Sequence, residues 1–288
     1  MKTPKIITTR AELRAAIHEA NPASLGFVPT MGALHSGHGT LFTQAREENE
    51  LVVISIFVNE LQFNDPEDYR RYPRNLEADV AVAQAAGVDL IFAPDAEEIY
   101  HAGKPMIRLD TGVMGALYEG ESRPGHFDGM LAVVSKLLHL ADPGRGKYRA
   151  YFGQKDAQQL MLIKRMVADL DYPVEIRPVP IARTERGLAL SSRNALLNQQ
   201  QLESALVLYR AIELIAARAA RHEPLHLEDA IGLFQMTPEV ELDYFVVVDP
   251  NTLQELAFNC QDTPFVGEGL ILVAATVGGV RLIDNQPI

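Results

Sequence analysis

Pro29-Thr30-Met31-Gly32-Ala33-Leu34-His35-Ser36-Gly37-His38 lies between a short apolar run, Leu25 to Val28, and a polar segment with helical spacing from Gly39 to Glu50. The run reads as a buried strand, the glycines as a tight loop, and the polar segment as a helix. Two imidazoles three residues apart fall on one face of its start, near backbone N–H groups that lack intrahelical partners. Such a helix start attracts phosphate, and histidines there add hydrogen bonds or positive charge. A loop that merely contains histidines fits the His-x-x-His spacing equally well. The preceding strand and the flanking glycines favour a nucleotide site.

The same alternation continues outward. Leu51 to Val58 is a continuous β-branched run, as expected of a parallel strand covered on both faces. Residues 75–86 are helical in pattern, Gly87 reads as the stop, and Val88 to Ala93 as the next strand. A helix is expected over 127–140, a strand over Arg149 to Phe152, a helix over Asp156 to Leu170 and a strand over Val174 to Pro180. This order predicts an α/β fold, a Rossmann-like doubly wound parallel sheet, over residues 1–180. Residues 181–288 predict a smaller C-terminal α+β domain. Its helices fall near 199–220 and 226–236. Its strands are Leu242 to Val248, Leu270 to Val277 and Val280 to Ile283, the last two joined as a hairpin through Gly278-Gly279.

Composition narrows the function. The chain has 288 residues, is 47% hydrophobic and carries a formal net charge of -12. Such an acidic chain is a poor nucleic-acid binder, so an anionic ligand must meet a local basic site. Cys260 is the one cysteine; it excludes an intramolecular disulfide and reads as a spectator. No signal peptide is expected, no run reaches bilayer-spanning length, and a soluble cytoplasmic protein is the expectation.

Several loops carry chemistry-bearing residues. Asn59 and Gln62 follow the Leu51–Val58 strand, at the end where open parallel sheets bind ligands. Their amides suit a carboxylate or hydroxyl, and a capping turn is the plain alternative. Gly153-Gln154-Lys155-Asp156 follows the short Arg149–Phe152 strand; Gly153 admits close approach by a ligand. A lysine at a helix start opposes the helix dipole unless phosphate lies beside it. Asp156 reads as an ordinary first-turn acid, and Gln159 lies one turn beyond Lys155. Leu190-Ser191-Ser192-Arg193 supplies two hydroxyls that serve as caps or, with the guanidinium, grip a polyphosphate. His126 reads as a cap-region histidine. Asp65, Glu67, Asp68, Glu77 and Asp79 show no metal-ligand spacing and read as a solvated face.

In combination and order these segments resemble the pantothenate synthetases, or pantoate–β-alanine ligases, of the HIGH-motif nucleotidyltransferase superfamily. The resemblance runs through Pro29–His38, Ser55–Phe63, Tyr72-Pro73-Arg74, Arg123–Leu138, Phe152–Gln159, Val167–Asp169, Gly187–Asn194 and Leu282-Ile283-Asp284-Asn285. It implies a cytoplasmic homodimer that joins pantoate to β-alanine through a pantoyl adenylate, releasing pyrophosphate and then AMP, with Mg2+ accompanying ATP. The first domain would bind ATP and pantoate, and the second would cover the site.

By the same resemblance, His35, His38, Lys155 and Arg193 carry catalysis, with His38 the candidate general acid. Met31, Gly32, Gly153, Gln154, Asp156, Ala182, Leu190, Ser191 and Ser192 join them around ATP; Ala182 would meet adenine through its backbone. Pro29, Met31, Gln62 and Gln159 would hold pantoate, and Gln62 β-alanine as well. No metal ligands are assigned. The sequence departs from the family pattern at Ser36, Gly39, Glu60, Gln154, Ala157 and Thr184-Glu185-Arg186. The alternative is a related nucleotidylyltransferase acting on another small anion; it needs more cations to hold a second phosphate, whereas Gln62 and Gln159 suit a carboxylate and hydroxyls. A non-catalytic nucleotide-binding module would not need His38, Lys155 and Arg193 together.

Overall fold

A computed structural model describes residues 3–101, 103–256 and 263–288; Cys260 lies outside them. The chain divides into two compact units. One comprises Met1–Gly153 with Leu162–Val179, the other Gln154–Met161 with Pro180–Ile288. Residues 154–161, placed with the first part by sequence order, thus group with the second.

The described strands of the first unit are β1 (Lys5–Ile7), β2 (Ser24–Thr30), β3 (Leu51–Ile56), β4 (Leu90–Phe92), β5 (Lys147–Gly153) and β6 (Glu175–Val179). They form one parallel sheet in the order β1-β4-β3-β2-β5-β6. The architecture is the expected Rossmann-like one. From β2 the chain steps outward through β3 to β4, then returns to lay β5 against the other side of β2. The strand order therefore reverses between β2 and β5, and the carboxyl end of such a switch point is where open α/β sheets bind ligands. Val28, Val52, Ile54, Ile91 and Phe42 are fully buried at the centre of this unit.

Short or mixed segments escaped the sequence reading. β1 has only three residues, and the helix Arg10–Ala20 begins at a Thr9–Glu12 capping box. The buried aliphatic runs show through more clearly. β3 and the helices Leu76–Ala85, His126–Ala141 and Ala157–Asp169 fall within a few residues of expectation.

The second unit is α+β. Helices Gln199–Ala220 and Leu227–Gln235 pack on an antiparallel sheet of β7 (Val240–Val248), β8 (Leu270–Val277) and β9 (Val280–Pro287), with β8 central. The β8–β9 hairpin turns at Gly278-Gly279 as expected, and β9 runs four residues beyond the expected Ile283. Among the described residues no helix is long and apolar enough to cross a membrane.

Candidate active site

The candidate residues lie on loops of both units. After β2 the chain turns through Gly32 (φ 79°) and Ala33 (φ 51°), both left-handed. A Cβ at Gly32 would stand 2.8 Å from Asp79 Oδ2, so only glycine fits this turn against that carboxylate. Asp79 is 3% exposed and accepts the backbone N–H of Leu34 at 2.7 Å and of Ala33 at 3.2 Å. It is thus no part of a solvated face. It lies one helical turn before buried Ala83, on the inner side of its helix, and the loop's N–H groups compensate its burial. Burial and the Asp79 charge together push the nearby Tyr72 phenol up from its ordinary value, with Arg74 opposing.

His35 is the N-cap of the helix Ser36–Glu48. Its Nδ1 accepts the Gly37 N–H at 3.1 Å, while His38 Nδ1 accepts the His35 N–H at 3.3 Å. The rings stand 4.2 Å apart. The expectation left N–H groups at this helix start available to phosphate; the imidazoles themselves occupy two of them. With Nδ1 accepting, each neutral ring carries its proton on Nε2. The pair thus stands in fixed orientation at a helix start, where anions are attracted.

At the end of β3, Asn59 is fully buried and Gln62 nearly so. Asn59 Nδ2 donates to Gln62 Oε1 at 3.1 Å and to Gly129 O at 2.9 Å, while Tyr100 donates its hydroxyl to Asn59 Oδ1 at 2.8 Å. Gly129 permits this packing, since a Cβ there would meet Leu61 O at 2.0 Å. His126 Nδ1 lies 2.7 Å from Gln62 O and Arg123 reaches the same carbonyl at 3.4 Å. His126 thus braces the Gln62 turn from its own helix. With Oε1 engaged, Gln62 Nε2 donates to no group among the described residues. Glu60, the departure beside it, is exposed and pairs with Lys104 at 3.8 Å.

In the second unit Lys155, Ser191, Arg193, Arg281 and Asp284 line one pocket. Three cationic side chains and one carboxylate thus share this pocket. Lys155 Nζ lies 3.6 Å from Asp156 Oδ1. Ser191 Oγ accepts the Arg193 N–H at 3.2 Å and caps the short turn Ser192–Leu196, the capping role open to it from sequence. Arg193 Nη1 donates to Arg281 O at 3.0 Å. The Ala182 carbonyl accepts the Leu190 N–H at 2.8 Å, closing the loop between them. Gln159 is half-buried and Ala157 buried on the helix Ala157–Asp169. Burial raises the Asp284 carboxyl above its ordinary value; hydrogen bonding and charge from Arg183, the Asn285 N–H and the Lys155 charge pull the other way. Among the described residues no three His, Cys, Asp or Glu side chains group to hold a metal.

Asp79, Arg183, Asp284 and Asn285 were not singled out as site residues in the sequence.

Residues 5–287 match the family model described as pantoate-beta-alanine ligase. The pantothenate synthetase of Paenarthrobacter aurescens is 58% identical over 98% of this chain and 99% of its own, and that of Corynebacterium glutamicum 50% identical over 96% and 97%. A crystal structure of the Thermus thermophilus pantothenate synthetase superposes with a TM-score of 0.86 at 45% identity, covering 98% of each chain. The Francisella tularensis pantoate-beta-alanine ligase, crystallised with β-γ ATP and β-alanine, superposes with a TM-score of 0.73 at 34% identity over 98% and 97%. Matched over nearly its whole length in sequence and fold, the chain belongs to the pantoate–β-alanine ligase, or pantothenate synthetase, family.

Proposed function

We propose that this enzyme joins pantoate to β-alanine in two steps at the expense of ATP. A pantoate carboxylate oxygen attacks the α-phosphorus, the bond to the β,γ-pyrophosphate breaks, and pantoyl adenylate forms. The β-alanine amine then attacks the acyl carbon, AMP leaves with the acyl C–O electron pair, and the amine loses a proton. The first step gathers negative charge on the α-phosphoryl group and the leaving pyrophosphate, so fixed donors should dominate catalysis. The His35 and His38 Nε2–H groups supply donors after β2, with His38 as general acid. Lys155, Ser191, Ser192 and Arg193 supply cations and hydroxyls.

Gln62 turns its uncommitted Nε2 to the pantoate carboxylate or hydroxyls and adjoins β-alanine. Gln159 assists, and Pro29 and Met31 offer apolar contact to pantoate. Met31, Gly32, Gly153, Gln154, Asp156, Ala182 and Leu190 complete the ATP contacts. Mg2+ enters as part of the ATP substrate, held chiefly by phosphate oxygens; such an ion needs no all-protein cage. As part of the same reading, carried by the resemblance, the enzyme works in the cytoplasm as a homodimer, a state that sedimentation tests.

The observation that supports the reading best is the paired Nδ1 capping of His35 and His38 beside the switch point. It fixes two imidazoles at a helix start, where phosphate is attracted. Labelled pyrophosphate should exchange into ATP when pantoate is present and β-alanine absent, and AMP should be the final nucleotide. Exchange that requires β-alanine, or stoichiometric ADP, would overturn the scheme.

A further inference from the structure

β9 reaches both basic loops of the second unit through one dipeptide. Asn285 Nδ2 donates to Gln154 O and to Lys155 O, each at 2.9 Å. Both amide hydrogens are thus spent on consecutive carbonyls at the root of the lysine. Its neighbour Asp284, 4% exposed, takes two parallel hydrogen bonds from Arg183, at 2.6 and 2.9 Å, and accepts the Asn285 N–H at 2.8 Å. Arg183 also donates to Gly187 O at 3.0 Å and to Asn285 O at 3.3 Å, and lies 4.8 Å over the Tyr209 ring. The loop it grips runs on to Ser191 and Arg193.

We propose that Asn285 is a positioning residue for Lys155, braced by the Asp284–Arg183 pair. A lysine ammonium rides on a flexible four-carbon stem. Its reach is set by where its backbone is fixed. At a helix start the dipole repels it, and Asp156 offers it a competing partner. Anchoring the two carbonyls at its root settles that geometry during folding, so that less reordering remains for the phosphoryl-transfer step. The Arg183 grip ties the Ser191–Arg193 loop to the same dipeptide, which keeps the two cations in register.

The inference rests on the phosphate role proposed for Lys155, and a double-mutant cycle separates the two. Pyrophosphate exchange is measured for Asn285→Ala, Lys155→Ala and the double variant, with melting temperature as a control. Asn285→Ala alone should lower kcat for exchange at least about tenfold, within the roughly hundredfold that a displacement of about 1 Å costs, with little change in the pantoate KM. In the Lys155→Ala background the same change should cost less than about twofold, because the group it positions is gone. An equal loss in both backgrounds, or full activity of Asn285→Ala, overturns the positioning role and leaves that of Lys155 standing. Near-normal exchange by Lys155→Ala removes the role of Lys155 and the inference with it. If Asn285→Ala fails to fold, Asn285→Ser, which keeps one donor, enters the same cycle and is judged by the same two outcomes.

Discussion

The Asp79 carboxylate holds the backbone of Leu34 at 2.7 Å across 45 residues of sequence. The turn that delivers His35 to its helix is therefore shaped from outside, by a helix lying between β3 and β4. Asp79→Asn keeps one acceptor but sets an NH2 against a backbone N–H. Hydrogen bonds to charged groups contribute about 1.5–3 kcal/mol, so urea unfolding should show a loss of about that size. Exchange activity should fall at least about tenfold as the histidine loop shifts. Lowered stability with undiminished kcat would make Asp79 a structural anchor only.

Lys155→Ala should lower turnover by at least about a hundredfold, the scale for losing one preorganised electrostatic donor. Its side chain pairs only loosely with Asp156. Thermal unfolding should accordingly stay within about a degree or two of the parent protein. A variant that unfolds, or that turns over normally, contradicts the assignment.

Gln62→Ala should raise the KM for pantoate more than that for ATP. The side chain sits in the Asn59–Gly129–Tyr100 hydrogen-bond cluster at the end of β3, and its backbone is held separately by His126 and Arg123. Removing the amide therefore leaves the turn anchored. Steady-state kinetics with equal losses for both substrates would exclude a pantoate contact.

Alkaline stability should depend on Tyr151. Burial pushes its phenol up to about 12, with the Asn49 hydrogen bond opposing and the Glu48 hydrogen bond and charge adding to the rise. The folded state thus holds this proton more tightly than the unfolded chain, whose phenol titrates near 10. The resulting stability is complete below about pH 10 and is lost as pH rises through about 12. Tyr151→Phe lacks that contribution. Its melting temperature should fall less than that of the parent between about pH 9 and about pH 11.5; parallel curves would deny the effect.

Where burial leaves a composition signature, the fold was legible in the sequence. β3 shows as an aliphatic run interrupted at Ser55, and Gln199–Ala220 as a long stripe of alanine and leucine. β1 was not legible, because its three residues are defined by pairing with β4 rather than by a pattern of their own. Of the candidate site, the sequence named the groups with chemistry but not those that hold them. An acid such as Asp79 looks alike whether it faces water or caps two backbone N–H groups. Asn285 gains its meaning only from carbonyls 130 and 131 residues away. Even the histidines showed their spacing but not their mutual capping, which depends on ring orientation.

Synthesis runs from the amino end onward, and β9 is the last of the described strands to be made. Until residue 285 has joined the growing polypeptide, the Gln154 and Lys155 carbonyls lack the amide that donates to them, and until residue 284 has joined it, Arg183 lacks its carboxylate. A nascent chain can complete the parallel sheet on the ribosome while its lysine loop is still unanchored. A product terminated just before residue 284 would carry every proposed catalytic side chain and still miss the two residues that set one of them in place.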